Sequence, residues 1–273
     1  MTIHDVEATT LPPEVDTTVP HVARVLDYLQ GGTANYPIDR EVADYAFAEW
    51  PGGDVRVDIG AARSSLGRIV TYLAREAGVR QFIDIGTGLP TANAVHQVAG
   101  RIAPETRTVY VDRDPVVVAH ARYLLASEPA ATLFLAGDFH QPNEILREAK
   151  EFLDFSQPVA YILYGILHFL PDEEDPDGIV HTLTDAVPSG SYVALSHFAR
   201  ADKDDKMDET FELLNKQWGE SVVRRTRADT ARFFDGLDIV EPGVVELPDW
   251  RPDPGATAGP RPLPMWCGLA RKP

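Results

Sequence analysis

The sequence is poor in the residues that several functional classes require. Its 273 residues include a single cysteine, Cys267, so an intramolecular disulfide and a multi-cysteine zinc site within one chain are excluded. Lysine and arginine together number 25 against 42 acidic residues, which gives a net charge of −17. A broad basic surface for a polyanion is therefore not expected, and neither DNA nor RNA is predicted as a partner.

Long apolar runs are also lacking. The longest nearly apolar run, Val159 to Leu170, is too short to span a bilayer and contains Gly165 and His168. The N-terminal residues include Asp5 and Glu7 and lack the apolar centre of a secretion signal. The sequence therefore predicts a soluble, cytoplasmic protein without a membrane partner. Its 44% hydrophobic content is enough for one substantial α/β core with an accessory cap.

The chain is organised around the segment from Gln81 to Thr91. A short apolar run, which predicts a buried strand, is followed by Gly86 and Gly88, and Pro90 stands where the first turn of a helix would begin. Glycine can take positive φ in such a turn, and its lack of a side chain lets a ligand approach the backbone and the helix N-terminus. The segment therefore predicts a strand, a tight turn and a helix that bind a nucleotide.

The spacing of the glycines bears on which nucleotide binds. The dinucleotide fingerprint needs a third glycine three residues after the second, and here that position is Thr91. A short-chain dehydrogenase would also carry a Tyr-x-x-x-Lys pair, whereas Tyr164 is followed four residues on by His168. The Asp-x-Gly-x-Gly that begins at Asp84 instead resembles the cofactor loop of class I S-adenosylmethionine methyltransferases. NAD is the weaker interpretation.

Hydrophobic periodicity predicts the order of the elements. Helical spacing occurs in three segments before the first strand, and the third ends at Gly78. We therefore expect a flexible arm at 1–20, a helical cap at 21–78 and a core at 79–273. Within the core, strands alternate with helices, which predicts an α/β fold with a doubly wound, mostly parallel Rossmann-like sheet. The predicted strands after the first are 108–112, 132–136, 159–164 and 191–197, with shorter apolar stretches at 237–240 and 267–270.

Polar residues follow the predicted strands, where ligands bind in such a sheet. Asp112 ends the second strand and can accept both ribose hydroxyls of an adenosine, although a simple turn residue is the alternative. Asp138 follows the third strand and can accept from the adenine amino group while Phe139 packs near the ring. The alternative for this pair is an Asx turn beside a core phenylalanine.

Several separated motifs together resemble a bacterial family of S-adenosylmethionine-dependent methyltransferases long listed as a domain of unknown function. The resemblance covers nearly the whole chain from about His21. The motifs are Asp27-Tyr28-Leu29-Gln30-Gly31-Gly32, Asn35 with Asp39-Arg40, Gln81 to Thr91, Val109 to Asp112 with Asp114-Pro115, Leu167-His168-Phe169, Gly190-Ser191-Tyr192 with Ser196-His197, and Phe233 to Leu237 through Trp250-Arg251-Pro252.

The resemblance implies a class I methyltransferase fold, a helical N-terminal cap and S-adenosylmethionine as cofactor, with an unidentified small molecule as methyl acceptor. One segment departs from the family, which usually shows Asn and Phe where this chain has Ala62 and Ser65. Motif positions and strand ends together give the expected cofactor-binding residues: Tyr28, Gly32, Arg63, Asp84, Gly86, Thr87, Gly88, Asp112, Arg113, Asp138, Phe139 and Tyr164.

Methyl transfer from a sulfonium needs few catalytic side chains. The protein must hold donor and acceptor in line, exclude water and, for some acceptors, remove a proton. His168 and His197 follow or end predicted strands, and each can orient or deprotonate an acceptor or can simply pack in the core. Tyr28 and Tyr164 can place aromatic faces over the sulfonium, with core packing as the alternative.

The acidic run Asp172-Glu173-Glu174-Asp175, with Asp177, invites a metal interpretation. Consecutive acids rarely converge on a cation without a suitably placed turn glycine, so no metal is predicted. The run is expected to be solvated and to favour the positive end of the following helix, 178–186.

A second function class stays open from the sequence alone. The cofactor motifs are clear and the acceptor side is not, so a non-catalytic S-adenosylmethionine-binding regulator or sensor is the alternative to a methyltransferase. Turnover of S-adenosylmethionine to S-adenosylhomocysteine would separate the two. The oligomeric state is not specified by the sequence.

Overall fold

An eight-stranded sheet forms the centre of the molecule. The computed structural model describes residues 16–50, 53–89, 93–125, 131–201, 205–218, 221–253 and 264–273. The strands are β1 (Gln81–Ile85), β2 (Arg107–Asp112), β3 (Thr132–Ala136), β4 (Ala160–Tyr164), β5 (Tyr192–Phe198), β6 (Asp238–Ile239), β7 (Val245–Glu246) and β8 (Met265–Arg271). The helices are α1 (Val22–Leu29), α2 (Pro37–Glu49), α3 (Val55–Arg75), α4 (Val95–Gly100), α5 (Pro115–Leu125), α6 (Pro142–Ala149), α7 (Pro176–Asp185), α8 (Asp205–Trp218) and α9 (Arg227–Arg232).

The strand order confirms the doubly wound prediction. Neighbours along the sheet are β3-β2-β1-β4-β5-β8-β6, and β7 pairs with β8. The first five strands of the chain are parallel, whereas β8 runs antiparallel to β5, β6 and β7. The chain winds outward from β1 through β2 to β3, then returns past β1 to β4. The switch point therefore lies between β1 and β4, where ligands bind in open α/β sheets.

Both faces of the parallel strands are largely buried, which explains why the strands are mostly apolar. Alternate residues of β1 point to opposite faces: Phe82 packs in a cluster with α3, α4 and α5, and Ile83 packs in a cluster with α6 and α7. Each side chain is fully buried. The layers are helix, sheet and helix, with the strand ends left free to form a site.

Helix α3 joins the N-terminal helices to the sheet. It begins at Val55, before the segment in which its hydrophobic periodicity is clearest. The Asp54 carboxylate accepts a hydrogen bond from the Arg56 N–H at 2.9 Å and so caps the helix at this point. Its first turns contribute Val55 and Ile59 to a third apolar cluster with α1, α2 and α8. Its last turns, Leu66 to Ala74, pack in the same cluster as the strands.

Some predicted boundaries differ from the structure. Helix α4 begins at Val95 rather than near Pro90, and residues 90–92 lie outside the described part of the chain. Most of the predicted arm, 1–15, also lies outside it. In the proline-rich stretch after β7, Leu247–Asp249 forms a 3₁₀ turn, and residues 254–263 are not described. Strand β7 has only two residues, and no apolar alternation marked it in the sequence.

Candidate active site

A cavity of about 900 Å³ opens at the carboxyl ends of the parallel strands, between the sheet and the N-terminal helices. Loops after β1, β2, β3 and β4 supply one wall, and α1, α2 and α3 supply much of the other. Small-molecule sites commonly enclose roughly 300 to 1,000 Å³. The volume is therefore large for one small ligand and has room for a nucleotide-sized cofactor together with a second molecule.

The glycine loop after β1 exposes its backbone to the cavity. Gly86 and Gly88 have φ of 72° and 65°. A Cβ on Gly86 would lie 2.7 Å from the Ile166 side chain, closer than real Cβ contacts come. The Gly86 N–H donates to the Val111 carbonyl at 2.8 Å, and the Gly88 N–H donates to Asp112 Oδ2 at 2.8 Å. Glycine is therefore required at position 86 for both conformation and space.

Asp112 is a buried carboxylate that holds this loop and also faces the cavity. Its Oδ2 accepts from Gly88, and its Oδ1 accepts from the Asp114 N–H at 3.0 Å. Burial raises the pKa of Asp112, although the two backbone N–H groups act in the opposite direction. A carboxylate has about four lone-pair sites, so two remain for a ligand hydroxyl pair. The residue fits the ribose role that the sequence predicted for it.

Asp84 and Arg63 lie near enough to affect each other's pKa, and both line the cavity beside the glycine loop. Burial raises the pKa of Asp84 to about 7, while Arg63 and a 3.2 Å hydrogen bond from the Thr87 hydroxyl oppose the shift. Arg63, on α3, lines the cavity. Burial lowers the pKa of its guanidinium, and the nearby Asp84 opposes this shift. One anionic and one cationic ligand group can bind here side by side.

Asp138 belongs to a hydrogen-bonded chain after β3. Its Oδ1 accepts from the His140 N–H at 3.0 Å, which is an Asx turn, and bonds to His140 Nδ1 at 2.6 Å. His140 Nε2 bonds to Glu174 at 2.7 Å, and Arg113 lies 3.8 Å from Asp138. Burial lowers the pKa of His140, but its two carboxylate partners outweigh this and raise it. Phe139 is buried and lines the cavity, so the Asx turn and the cavity position coexist.

Tyr164, the last residue of β4, lines the cavity and is tied to α3. Its hydroxyl lies 2.6 Å from Ser65 Oγ, and burial raises its pKa well above the usual range. Ser65 is one of the two positions that depart from the family, and the other, Ala62, also lines the cavity. Ser65 therefore connects α3 to the end of β4 through this hydroxyl contact.

The two histidines proposed from sequence lie in different surroundings. His168 lines the cavity, is buried, and its Nδ1 has no hydrogen-bond partner among the described residues. Burial, with His197 and Arg225 nearby, lowers its pKa well below the usual value, so the imidazole is neutral. His197 is not among the cavity residues: its Nδ1 bonds to the Phe198 carbonyl and its Nε2 to Arg225. Both His197 nitrogens are occupied within the protein.

Tyr28 is likewise absent from the described cavity wall. It is half-buried and packs against the apolar cluster between α1, α2 and α8. All the other cofactor-binding residues predicted from sequence line the cavity, Gly32 among them. The strand ends thus bring together residues that lie more than a hundred positions apart in the sequence.

Helix α1 covers the glycine loop. The Ala23 side chain lies 3.9 Å from where a Gly88 Cβ would stand, and His21 Nδ1 lies 2.9 Å from Asp114 Oδ2. Arg24 is buried next to Asp39 and Asp114. The N-terminal helix is therefore fixed by polar contacts to the same loop that carries Asp112.

The connection after α1 explains the double glycine. The Asp27 carboxylate accepts from the Ala34 N–H and from Asn35 Nδ2, each at 2.8 Å, and Asn35 Oδ1 accepts from Arg40 Nε at 2.7 Å. A Cβ on Gly32 would collide with the Asp27 carboxylate. A structural requirement is therefore a further reason for Gly32, which also lines the cavity.

The acidic run after β4 is engaged in protein contacts. Asp172 forms an ion pair with the buried Arg225, and Asp175 accepts from the Gly178 N–H to cap α7. Among the residues the structure describes, no group of three or more candidate ligands converges as a metal site. These contacts give the run a structural role.

A profile described as S-adenosyl methyltransferase matches residues 8–273 of the chain. The chain belongs to this S-adenosyl methyltransferase family. S-adenosylmethionine is accordingly its cofactor, and its activity is that of an S-adenosylmethionine-dependent methyltransferase. No curated protein sequence is significantly similar to it.

Solved structures agree with the family. A DUF574 family protein from Streptomyces avermitilis is 40% identical, covers 94% of this chain and 99% of its own, and superposes with a TM-score of 0.88. A putative methyltransferase from Thermobifida fusca is 36% identical, with coverage of 97% and 99% and the same TM-score of 0.88. The mitomycin 7-O-methyltransferase MmcR, at 17% identity and a TM-score of 0.50, covers 78% of this methyltransferase and 54% of its own chain, and supports the fold alone. Within the described residues, no helix of the methyltransferase is both long and apolar enough to cross a bilayer.

Proposed function

We propose that the cavity holds S-adenosylmethionine against the ends of β1, β2 and β3 and a small-molecule methyl acceptor beneath the N-terminal helices. The observation that carries this proposal is the convergence of the Gly86–Gly88 backbone and the Asp112 carboxylate on one wall of a 900 Å³ cavity. Glycine at Gly86 leaves the backbone open, and Asp112 keeps lone pairs free. The residues present therefore fit the cofactor.

The remaining cofactor contacts follow from charge. Asp112 accepts the ribose hydroxyls, and Asp138 with Phe139 binds the adenine. Arg63 pairs with the carboxylate of the methionine part and Asp84 with its ammonium, because these two side chains offer opposite charges beside the glycine loop. Thr87, Arg113, Tyr164 and Gly32 complete the wall. In this proposal Tyr28 and His197 have no direct cofactor or catalytic contact.

The cofactor supplies the electrophilic methyl group, so the chain's own task is to position and enclose. We assign residues 21–78 to a cap that excludes water from the transfer, with α3 as the part that also packs on the sheet. His168 is the candidate acceptor for any proton that the nucleophile must lose, because it is the histidine of the predicted pair that borders the cavity.

The partner and location remain part of the proposal. A net charge of −17 supports a small-molecule acceptor rather than a nucleic acid. The cytoplasmic location is a prediction from the sequence that the proposal retains.

Thermal unfolding with ligands tests the proposed site. A ligand that binds the native state raises the apparent stability by mass action, so S-adenosylhomocysteine should raise the melting temperature and NAD should not. Formation of S-adenosylhomocysteine from S-adenosylmethionine with a mixture of small metabolites then tests turnover. A stabilisation by NAD with none by S-adenosylhomocysteine would refute the assignment of the cavity.

A further inference from the structure

A single histidine joins two loops that border the cavity. His140 follows β3, Glu174 ends the 3₁₀ turn Asp172–Glu174 after β4, and both line the cavity together with Asp138. His140 Nδ1 lies 2.6 Å from Asp138 Oδ1, and His140 Nε2 lies 2.7 Å from Glu174 Oε2. The three side chains are 35% to 43% exposed, and ion pairs with such exposure contribute little to stability. Stability of the fold therefore does not explain the arrangement.

The two short bonds indicate the proton state of His140. A neutral imidazole has one N–H and one acceptor nitrogen, whereas an ionised carboxylate only accepts. Only the cationic ring can therefore donate to both ionised acids at the same time. Burial lowers the pKa of His140, but its bonds to Asp138 and Glu174 outweigh this and raise the pKa. His140 is thus a cation held between two acids, with Arg113 on the other side of Asp138 at 3.8 Å.

His140 occupies one oxygen of Asp138 and leaves the other for a ligand. Asp138 Oδ1 accepts from the His140 backbone N–H at 3.0 Å in addition to its bond with the ring. The described contact of Oδ2 is Arg113 Nη1 at 3.8 Å, which is beyond hydrogen-bond distance. Oδ2 is therefore the oxygen of Asp138 that can accept from the amino group of an adenine.

The turn that carries Glu174 is fixed on both sides. Asp172, at its start, bonds to the buried Arg225, which also donates to two backbone carbonyls of the preceding turn. Asp175, directly after it, accepts from a backbone N–H and caps α7. Glu174 thus holds His140 from outside the β3 loop. A ring bonded at both nitrogens has fewer orientations, and so does the carboxylate to which it is bonded.

We propose that His140 and Glu174 are positioning residues for the cofactor: the cationic His140, held by Glu174, orients the Asp138 carboxylate so that Oδ2 accepts from the adenine amino group. The inference rests on the proposed adenine site at Asp138 and Phe139. Asp138 contacts the ligand, and the other two residues act through it. Because the carboxylate is ordered before the cofactor arrives, less conformational freedom is lost on binding.

A pair of ligands isolates the contact with the amino group. S-adenosylhomocysteine is compared by calorimetry on the full chain with its purine analogue, in which hydrogen replaces the 6-amino group. The wild-type chain should bind the analogue roughly ten-fold more weakly or worse, as for loss of a hydrogen bond to a charged group. Asp138→Ala should remove most of this ratio of dissociation constants. A wild-type ratio near one, or a full ratio in Asp138→Ala, would overturn the inference.

Variants of the two positioning residues test the chain of contacts. His140→Ala should lower the ratio about three-fold or more, because Asp138 loses its bond to the ring. Glu174→Ala should lower it by less, since the ring can still bond to Asp138. The double variant should match His140→Ala, because Glu174 acts through His140. A wild-type ratio in His140→Ala would overturn the role of both residues, and a further loss in the double variant would overturn that of Glu174.

Matched controls separate positioning from general damage. Glu173→Ala removes the exposed neighbour of Glu174 in the same turn, which is not among the residues that line the cavity, and His181→Ala removes an exposed histidine on α7. Both controls should keep the wild-type ratio. Melting temperatures without ligand should stay close to that of the wild type in His140→Ala and Glu174→Ala, because the ion pairs are exposed.

The pH dependence of the ratio gives a readout that a purely structural role would not change. Both ligands carry the same homocysteine part, so the ionisation of Asp84 cancels. The wild-type ratio should be largest near about pH 6, where His140 is cationic, and should fall as pH rises through the raised pKa of His140. In His140→Ala it should not change with pH, and parallel profiles would overturn the cationic role. Absence of S-adenosylhomocysteine binding by the wild-type chain would instead refute the proposed function itself.

Discussion

The sides of the cavity that we propose for the cofactor and for the acceptor, the cofactor side and the acceptor side, are built in different ways. The cofactor side comes from loops directly after β1, β2 and β3, which are held together by backbone N–H groups such as that of Gly88, which donates to Asp112. The acceptor side comes from side chains of α2, α3, α8 and β5, including Trp50, Leu214 and Ser196. One side therefore depends on backbone geometry and charge, and the other on how distant helices pack.

This difference predicts how each side tolerates change. A substitution on the cofactor side alters a conformation or a charge that a neighbour cannot replace. A substitution on the acceptor side alters shape, and adjacent apolar side chains can adjust in part. The cofactor should therefore be lost abruptly, whereas acceptor preference should change by degrees.

The largest effect is expected at Gly86. Gly86→Val adds a branched side chain where φ is 72° and where even a Cβ would approach Ile166 to 2.7 Å. Affinity for S-adenosylhomocysteine should fall more than a hundred-fold by calorimetry. Gly67→Ala is the control, because a Cβ there meets nothing within 4 Å. Retained affinity in Gly86→Val would show that the loop does not approach the cofactor closely.

The second largest effect on cofactor affinity is expected at Asp112. Asp112→Asn keeps the shape but removes the charge, and charge-assisted hydrogen bonds contribute roughly 1.5 to 3 kcal/mol each. Affinity should fall about ten-fold or more. Asp112→Ala should lose more, because it also frees the Gly88 N–H that the carboxylate holds at 2.8 Å. Calorimetry measures the affinity of these variants, and the exposed Asp44→Asn is the control for a general effect of removing one negative charge. Unchanged affinity in Asp112→Asn would remove Asp112 from the ribose site.

Asp84 should make cofactor affinity depend on pH. Its folded-state pKa of about 7 lies above the usual 3.8, so its protonation stabilises the free protein at low pH, and this contribution is lost as pH rises through 7. A ligand ammonium favours the ionised form. Affinity for S-adenosylhomocysteine should therefore rise several-fold from pH 6 to pH 8, and Asp84→Asn should abolish most of this rise. Parallel pH profiles for the two proteins would contradict the contact.

The smallest effect is expected in the connection of the cap. Gly32→Ala pushes on the Asp27 carboxylate and loosens its bonds to Ala34 and Asn35. We expect a loss of two- to five-fold in cofactor affinity and a modest fall in thermal stability, because α1 still contacts Asp114 through His21. Gly60→Ala is the control, because Gly60, like Gly32, has no positive φ and a Cβ there would meet nothing within 4 Å. An effect as large as that at Gly86 would show that the cap and the glycine loop form one unit.

The sequence predicted most of the residues that line the cofactor side of the cavity, because the signals for them are local. Gly86, Gly88 and Asp112 each stand next to a strand end, and parallel strand ends meet at one edge of the sheet. His140 and Glu174 were missed, because the bond between them joins two loops that lie 34 residues apart, and His140 alone connects it to Asp138. His197 was placed near the site by its strand position, but its ring turns toward Arg225 instead.

The acceptor side could not be predicted in the same way. Trp50 and Phe198 occur in α2's C-terminal region and in β5, and only the packing of the cap on the sheet brings their rings within 6.3 Å. The double glycine at 31–32 was ambiguous for the same reason, since the Asp27 carboxylate that requires Gly32 to be small is a tertiary contact of the connection. Hydrophobic periodicity predicts that such helices are buried, but not which side chains meet.

Hydrogen exchange with and without S-adenosylhomocysteine tests the central claim, that the cofactor lies between the glycine loop and the N-terminal helices. The account predicts slower exchange on binding for residues 81–89 and 109–114 and also for 22–40. Protection of 81–89 alone would reduce the cap to scaffold. Exchange that is identical in both states throughout 81–89, under conditions where the ligand is bound, would contradict the account.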